Sequence, residues 1–242
     1  MIKEAIILAG GLGMRLRSAV PDLPKCMAPV NGRPFIDYLV GHFQDAGIER
    51  FIFALGFKSG DFEGFLAAKF QRGPATYALS VEQEPMGTGG AIRMACRCAA
   101  DDTVLVMNGD TFFRIAPDEL ADFHSYHGAD CTVCLKPMRN FDRYGVVELG
   151  SDGRVNQFRE KQFYAQGLIN GGVYALERRR FLELDLPEKF SFEKDYLERQ
   201  GTGVTGGAGQ RLFGLVQDAY FIDIGIPEDY ERAQTEMKSY AT

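Results

Sequence analysis

The chain has 242 residues, 45% of them hydrophobic and 25% charged, the balance of an ordinary soluble globule and enough for one α/β unit with a full core and an insertion. A formal net charge of -6 excludes a duplex-wide nucleic-acid surface, so any phosphate site is local and no nucleic-acid partner is expected. The five cysteines, an odd number, fit reduced thiols, and the short apolar run behind Met1-Ile2-Lys3-Glu4 is neither a signal core nor a membrane span; a cytoplasmic location with no membrane partner is expected.

Taken in order, strand-like apolar runs alternate with helical patterns: a strand at 4–9, a helix at 35–46 closed by Gly47, a strand at 50–55, a helix at 61–70, and a strand at 76–81. A helix at 88–99, a strand at 103–107 and a helix at 118–127 closed by Gly128 follow, and the alternation predicts a parallel sheet covered by helices. His124 and His127 share a face of that last helix, but at its carboxyl end they are expected in solvent, where they suit the dipole, rather than on a metal. Cys96-x-Cys98 and Cys131-x-x-Cys134 invite a zinc reading; two positions apart on a helix, or three on a strand, put thiols on nearly opposite faces, so buried structural cysteines are expected instead.

Beyond Pro137 the pattern changes to short antiparallel strands at 146–149, 155–158 and 168–176 around tight turns such as Ser151-Asp152-Gly153, which marks an insertion. Helices return at 192–200 and 227–240, with strands at 212–216 and 220–223 between them. The segment 201–209 holds five glycines and no charge and reads as a linker, or as a lid that needs glycine freedom. Neither internal repeats nor an independent second domain is visible, so 1–242 is read as a single domain with a part at about 1–135 and a second part at about 136–242.

Chemistry concentrates where strands end. Ile6-Ile7-Leu8-Ala9 leads into Gly10-Gly11-Leu12-Gly13-Met14-Arg15-Leu16 and then Pro24-Lys25-Cys26-Met27-Ala28-Pro29-Val30. Such a glycine loop lets backbone N–H groups approach phosphate oxygens, with Arg15 and Lys25 supplying charge, although on the glycines alone a plain turn fits as well. Leu16 replaces the third glycine of a dinucleotide fingerprint, and no Gly-Lys-Ser/Thr follows, so neither that motif nor a P-loop is present. Val104-Leu105-Val106-Met107-Asn108-Gly109-Asp110 sets a carboxylate at the carboxyl edge of the sheet, and Phe221-Ile222-Asp223-Ile224-Gly225 repeats the arrangement; either aspartate alone could cap a turn. Glu82-Gln83-Glu84-Pro85-Met86-Gly87-Thr88-Gly89-Gly90-Ala91 joins a strand to a helix that Thr88 could cap.

The paired segments 10–16 and 24–30 resemble the signature of the sugar-1-phosphate nucleotidyltransferases, the nucleotide-sugar pyrophosphorylases. Threonine is usual in that family where Met14 stands and proline is common where Cys26 stands; the glycines, Arg15 and Lys25 match. The resemblance implies a Rossmann-like, mostly parallel α/β sheet with helices on both faces, of the nucleotide-diphospho-sugar transferase type, and a small antiparallel sugar-binding insertion. It assigns catalysis to Arg15, Lys25 and Asp110, and Mg²⁺ binding to Asp110 and Asp223. Nucleotide contacts fall on Leu8, Gly10, Gly11, Gly13, Arg15, Glu82, Gly87, Thr88 and Gly109, and sugar-phosphate contacts on Tyr144, Gly145, Glu160, Lys161, Asn170 and Gly171. These motifs follow one another over nearly the whole chain: phosphate loop, base loop, first aspartate, sugar side, second aspartate.

The implied reaction sets a sugar 1-phosphate, mostly a dianion at pH 7 because its second pKa is near ~6, against the α-phosphorus of an NTP opposite the departing pyrophosphate. Within the family, Arg15-Leu16-Arg17, the stretch from Pro24 to Val30, Gly32-Arg33-Pro34-Phe35, the stretch from Leu186 to Glu193 and the stretch from Tyr220 to Pro227 are most similar to the D-glycero-α-D-manno-heptose 1-phosphate guanylyltransferases, which implies GTP, a heptose 1-phosphate and GDP-heptose for surface polysaccharide synthesis. Mannose 1-phosphate with GTP, or glucose 1-phosphate with dTTP or UTP, is the nearest alternative. A metal-dependent glycosyltransferase is a further one, though Asn108-Gly109-Asp110 lacks its usual Asp-x-Asp, as is a non-catalytic nucleotide-sugar sensor. A homo-oligomer stays open.

Overall fold

A computed structural model of the chain describes residues 1–10, 24–56, 60–71, 73–199 and 211–240. The run that opens the sequence becomes strand β1 (Glu4–Leu8), and a small hairpin of β2 (Pro29–Val30) and β3 (Arg33–Pro34) leads into helix α1 (Phe35–Asp45). The predicted alternation then appears as β4 (Arg50–Leu55), α2 (Gly60–Phe70), β5 (Thr76–Val81), α3 (Gly87–Cys96) and β6 (Thr103–Asn108). Strands β6, β1, β4 and β5 lie side by side and parallel, with Ala5 between Phe51 and Leu105. Ala5, Ile6 and Ile7 are all fully buried, as a strand covered on both faces requires. Ile7 joins Phe51, Phe53 and the α1 and α2 side chains Phe35, Leu39, Phe43 and Phe62 on one face. Ile6 joins Ile52 and the α3 side chains Ile92 and Ala95 on the other.

The second half completes this sheet. After β7 (Thr111–Phe113) and α4 (Pro117–His127) come β8 (Cys131–Phe141), the hairpin strands β9 (Val146–Leu149) and β10 (Val155–Arg159), β11 (Tyr164–Glu177) and α5 (Arg178–Leu182). A π-helical stretch at Phe192–Glu198, strands β12 (Leu212–Val216) and β13 (Phe221–Asp223), and helix α6 (Pro227–Glu236) with a 3₁₀ turn at Met237–Tyr240 finish the fold. The sheet reads β12-β8-β11-β6-β1-β4-β5, and β11 is the strand that runs against its neighbours. No helix among the described residues is long and apolar enough to cross a membrane.

Several expectations need correction. The antiparallel region does not begin after Pro137: β8 runs from Cys131 through Pro137, which faces Leu168 of β11, and only β9 and β10 form a separate hairpin. Strand β12 stops at Val216 beside Leu135, so Pro137 sits beyond it, where a missing N–H interrupts no ladder on that side. His124 is not in solvent. It is 4% exposed, and its Nδ1 lies 2.9 Å from the Thr132 hydroxyl on β8, while Gly128, left-handed at φ 53°, ends the helix as expected. Burial lowers the His124 pKa to about 4. The cysteines are free: Cys131 and Cys134 face opposite cores, and no cluster of three or more metal-binding side chains occurs among the described residues.

Candidate active site

Strand β1 ends beside β6, with Leu8 opposite Asn108. The Gly109 N–H then donates to the Leu8 carbonyl at 3.0 Å, and a Cβ on Gly109 would lie 2.6 Å from that oxygen, so the close approach requires glycine. The next residue, Asp110, leaves the carboxyl edge of the sheet. Its partner arrives from far along the chain through a two-stranded ribbon, β7 with β13, that sets Asp223 opposite Thr111 and lets the Ile224 N–H donate to the Asp110 carbonyl at 3.0 Å.

Lys25 stands on a 3₁₀ turn, Lys25–Met27, and its ammonium pairs with the Asp110 carboxylate while lying 3.9 Å from Asp223 Oδ1. The Gly225 N–H donates to Asp223 Oδ1 at 2.8 Å, and the Tyr144 hydroxyl donates to Oδ2 at 3.4 Å. Burial, and next the Asp110 charge, raise the Asp223 pKa, while Lys25 opposes them; burial and then the Asp223 charge raise that of Tyr144. Two crowded carboxylates held by one ammonium form a site that calls for more positive charge. The pair fits a Mg²⁺ ion, which takes one or two carboxylates and fills its other positions with water and phosphate oxygens.

A cleft of about 230 Å³ opens here, lined by Leu8, Ala9, Lys25, Thr88, Asp110 and Glu193 among others. Just beyond β1, a Cβ on Gly10 would lie 2.6 Å from the Gly56 nitrogen. Glu82 follows β5, its N–H donating to the Leu55 carbonyl at 2.9 Å. Burial raises its carboxyl pKa against a hydrogen bond from the Met86 backbone, and its Oε1 is buried with no partner among the described residues. Gly87 adopts φ +73° under the Phe190 carbonyl, which a Cβ would meet at 2.5 Å. Thr88 does not cap α3. The helix begins at Gly87 after Met86, so Thr88 lies inside its first turn, and its hydroxyl accepts from the Phe192 N–H at 2.9 Å and donates to Glu193 Oε2 at 2.7 Å.

Among the residues expected to contact the sugar phosphate, Gly145 packs against the Arg159 carbonyl, and Glu160 and Lys161 lie exposed between β10 and β11, with the Tyr164 hydroxyl donating to the Glu160 carbonyl at 3.0 Å. Asn170 holds its own turn: its amide donates to the Tyr174 hydroxyl at 2.9 Å, and its oxygen accepts from the Gly172 N–H at 2.9 Å. That turn carries Gly171 onto Phe113, and Gly172 to a place where a Cβ would lie 2.7 Å from the Asn108 amide, which seats the turn against the end of β6. Gly11, Gly13 and Arg15 lie outside the described residues, as does the segment 201–209. Sequence reasoning assigned no role to Glu193, although it stood inside a stretch singled out for resemblance. It also passed over Arg143 and Asp229. Asp229 is 7% exposed, pairs with Arg143 and lies 2.7 Å from Arg232, and so ties α6 to the segment that carries Tyr144.

A larger recess, about 620 Å³, lies at the opposite edge, where β6 begins and β11 ends. Of the charges that line it, Arg180 and Arg211 pair with Asp130, Asp102 with Arg179 and Lys3 with Glu49.

Residues 4–239 match the family model described as "Nucleotidyl transferase". Over 237 residues the chain is 44% identical to D-glycero-alpha-D-manno-heptose 1-phosphate guanylyltransferase of Aneurinibacillus thermoaerophilus, covering 98% of this chain and 99% of that one. The enzyme of the same name from Campylobacter jejuni is 40% identical over 227 residues, covering 94% and 96%. Among solved structures, HddC from Yersinia pseudotuberculosis complexed with GMP-PN superposes with a TM-score of 0.84 at 33% identity, covering 98% of this chain and all of that one.

Proposed function

The chain belongs to the nucleotidyl transferase family, and we propose that it transfers a guanylyl group from GTP to D-glycero-α-D-manno-heptose 1-phosphate, releasing pyrophosphate and giving GDP-heptose. The observation that carries this reading is the convergence of Lys25, Asp110 and Asp223 at the carboxyl edge of the sheet, in a chain whose 44% and 40% identical relatives bear that enzyme's name over nearly their full length.

A phosphate oxygen of the sugar 1-phosphate forms a bond to the α-phosphorus as the bond to the β-phosphate oxygen breaks, and the electron pair departs with pyrophosphate. No covalent enzyme intermediate is needed. Asp110 and Asp223 would hold the Mg²⁺, which supplies charge neutralisation for the phosphates. Lys25, already beside both carboxylates, offers its ammonium to phosphate oxygens, and Arg15 and Lys161 add charge at the nucleotide and sugar phosphates. Leu8, Gly10 and Gly109 give the nucleotide a close backbone approach. Tyr144, Gly145, Glu160, Asn170 and Gly171 form the sugar side.

The reaction substrates are cytoplasmic in character, being a nucleoside triphosphate and a phosphorylated sugar, and this agrees with the proposed location.

Mannose 1-phosphate is the second acceptor to test, because a mannose-1-phosphate guanylyltransferase of Mycobacterium tuberculosis is 31% identical over 97% of this chain, though the match spans only 64% of that protein. Pyrophosphate release is measured with Mg²⁺ for five nucleotides against heptose, mannose and glucose 1-phosphates, with a chelator control. Release confined to GTP with the heptose phosphate is the expected result. Release with another pair replaces the substrates, and none from any pair overturns the reading.

A further inference from the structure

Glu193 lines the cleft beside Lys25 and Asp110 but belongs to neither the metal pair nor the phosphate machinery. One of its oxygens is fixed. Oε2 accepts from the Thr88 hydroxyl at 2.7 Å and from the Ser191 hydroxyl at 3.0 Å. Both hydroxyls are themselves held in place: Thr88 Oγ1 accepts from the Phe192 N–H at 2.9 Å, and Ser191 Oγ accepts from the Lys194 N–H at 3.2 Å. With their lone pairs engaged by backbone donors, both hydroxyls are turned to donate, and they orient the carboxylate. Oε1 accepts from nothing among the described residues.

The backbone around Glu193 is fixed as firmly. The Gly89 N–H donates to the Phe190 carbonyl at 3.0 Å, the Phe190 N–H donates to the Met86 carbonyl at 3.0 Å, and the Ser191 N–H donates to Asp195 Oδ2 at 2.9 Å. Asp195 also shares an ion pair with Arg199. A carboxylate on a residue that lines the cleft, with one oxygen anchored and the other without a partner among the described residues, is arranged to accept from a neutral donor, since a second anion would be repelled and the nearby cation, Lys25, is already engaged by Asp110.

We infer that Glu193 is a substrate-reading residue whose Oε1 accepts a hydrogen bond from a carbohydrate hydroxyl. This rests on the proposed reaction, both of whose substrates carry such hydroxyls: the sugar 1-phosphate and the ribose of the nucleotide. The sugar phosphate is the expected source. Glu193 is close enough to Tyr174 to act on its hydroxyl electrostatically, Tyr174 holds Asn170, and the turn that follows abuts Asn108 at the cleft wall. The carboxylate is tied to Thr88 at the start of α3 and also lies near the β6–β11 side of the cleft, so the analogues of both substrates are needed to assign the hydroxyl.

The test compares wild type with Glu193→Ala and Glu193→Gln. Pyrophosphate release gives kcat/KM for the sugar 1-phosphate and a complete set of its monodeoxy analogues, and for GTP against its 2′- and 3′-deoxy forms. Loss of a hydrogen bond to a charged acceptor lowers kcat/KM about 10- to 100-fold. Glu193→Ala is expected to cause that loss for the parent sugar but to leave one deoxy analogue almost unaffected, and Glu193→Gln, which keeps an acceptor of the same size, is expected to recover part of it. The same collapse confined to a deoxy-GTP would support the hydroxyl role and assign it to the ribose. An equal loss for every parent and analogue, or no loss at all, overturns the inference, because a residue that merely supports the fold does not distinguish them. Equilibrium titration of the same sugar phosphates and nucleotides onto wild type and Glu193→Ala gives the comparison without turnover. Wild type that releases no pyrophosphate would remove the proposed reaction, and the titrations would still decide the role of Glu193.

Discussion

At the scale of single residues, the site is an electrostatic balance among Lys25, Asp110 and Asp223. The ammonium is held between two carboxylates, one of which, Asp223, already has its pKa raised by burial and by its neighbour's charge. Removing the ammonium leaves two crowded carboxylates with less compensation, whereas neutralising Asp110 relieves that repulsion but removes one of the two carboxylates proposed to hold the metal. Lys25→Ala and Asp110→Asn are each expected to lower turnover by about 100- to 1000-fold, the effect of deleting one preorganised electrostatic group. Their stabilities should part company. In metal-free buffer at pH 8, Lys25→Ala is expected to melt below wild type, and Asp110→Asn at or above Lys25→Ala. Steady-state kinetics with a thermal melt of each variant checks both halves, and wild-type turnover in either variant would remove that residue from the machinery.

At the scale of elements, what sequence could show depended on whether the determinant was local. The strands at 50–55, 76–81, 146–149 and 212–216 match the structure because a buried run bounded by breakers is a short-range signal. Asp110 and Asp223 were legible as strand-end carboxylates, but nothing local to either reveals the β7–β13 ribbon that joins them, because their pairing spans over a hundred residues. Glu193 and Thr88 failed for the same reason: the hydroxyl that looks like a cap in sequence is claimed by a segment about a hundred residues away. His124 was misplaced because the end of a helix is usually wet, and only the packing of α4 on β8 buries it. That burial has a pH signature. An unfolded histidine takes up a proton near pH 6.5, but folded His124 resists until about pH 4. The unfolded chain therefore binds the extra proton between those values, so stability is complete above pH 6.5 and falls by up to about 3 kcal/mol as the pH drops towards 4. His124→Asn, which places an amide near the Thr132 hydroxyl, is expected to be less stable than wild type at pH 7 yet to lose less between pH 7 and 4.5. Denaturant titrations at the two pH values measure it, and equal losses would show that His124 does not carry this dependence.

At the scale of the whole molecule, we propose that the division into a nucleotide part and a sugar part is one of function and not a boundary of folding. Strand β11 pairs with β6, setting Val173 beside Met107 and Tyr174 beside Val106, so the seam between the halves runs through the middle of the sheet. Tyr174, Phe181, Phe192 and Tyr196, all from the second half, pack in one core with Ile6, Ile92, Val104 and Val106 from the first. A fragment of residues 1–135 would present β6 as a bare edge and strip Tyr174, Phe181, Phe192 and Tyr196 from the core that α3 covers only in part. The full chain is therefore expected to unfold in one cooperative step, and the fragment to show no cooperative transition and to bind a hydrophobic dye. Circular dichroism with denaturant decides between these outcomes; a fragment that unfolded cooperatively would mean that the nucleotide part is a folding unit of its own. The same seam explains why the chemistry sits where it does. Lys25 and Asp110 come from one side of it and Asp223, Tyr144 and Glu193 from the other, so their arrangement depends on the pairing of β6 with β11, and substrate alignment is coupled to the stability of the whole molecule.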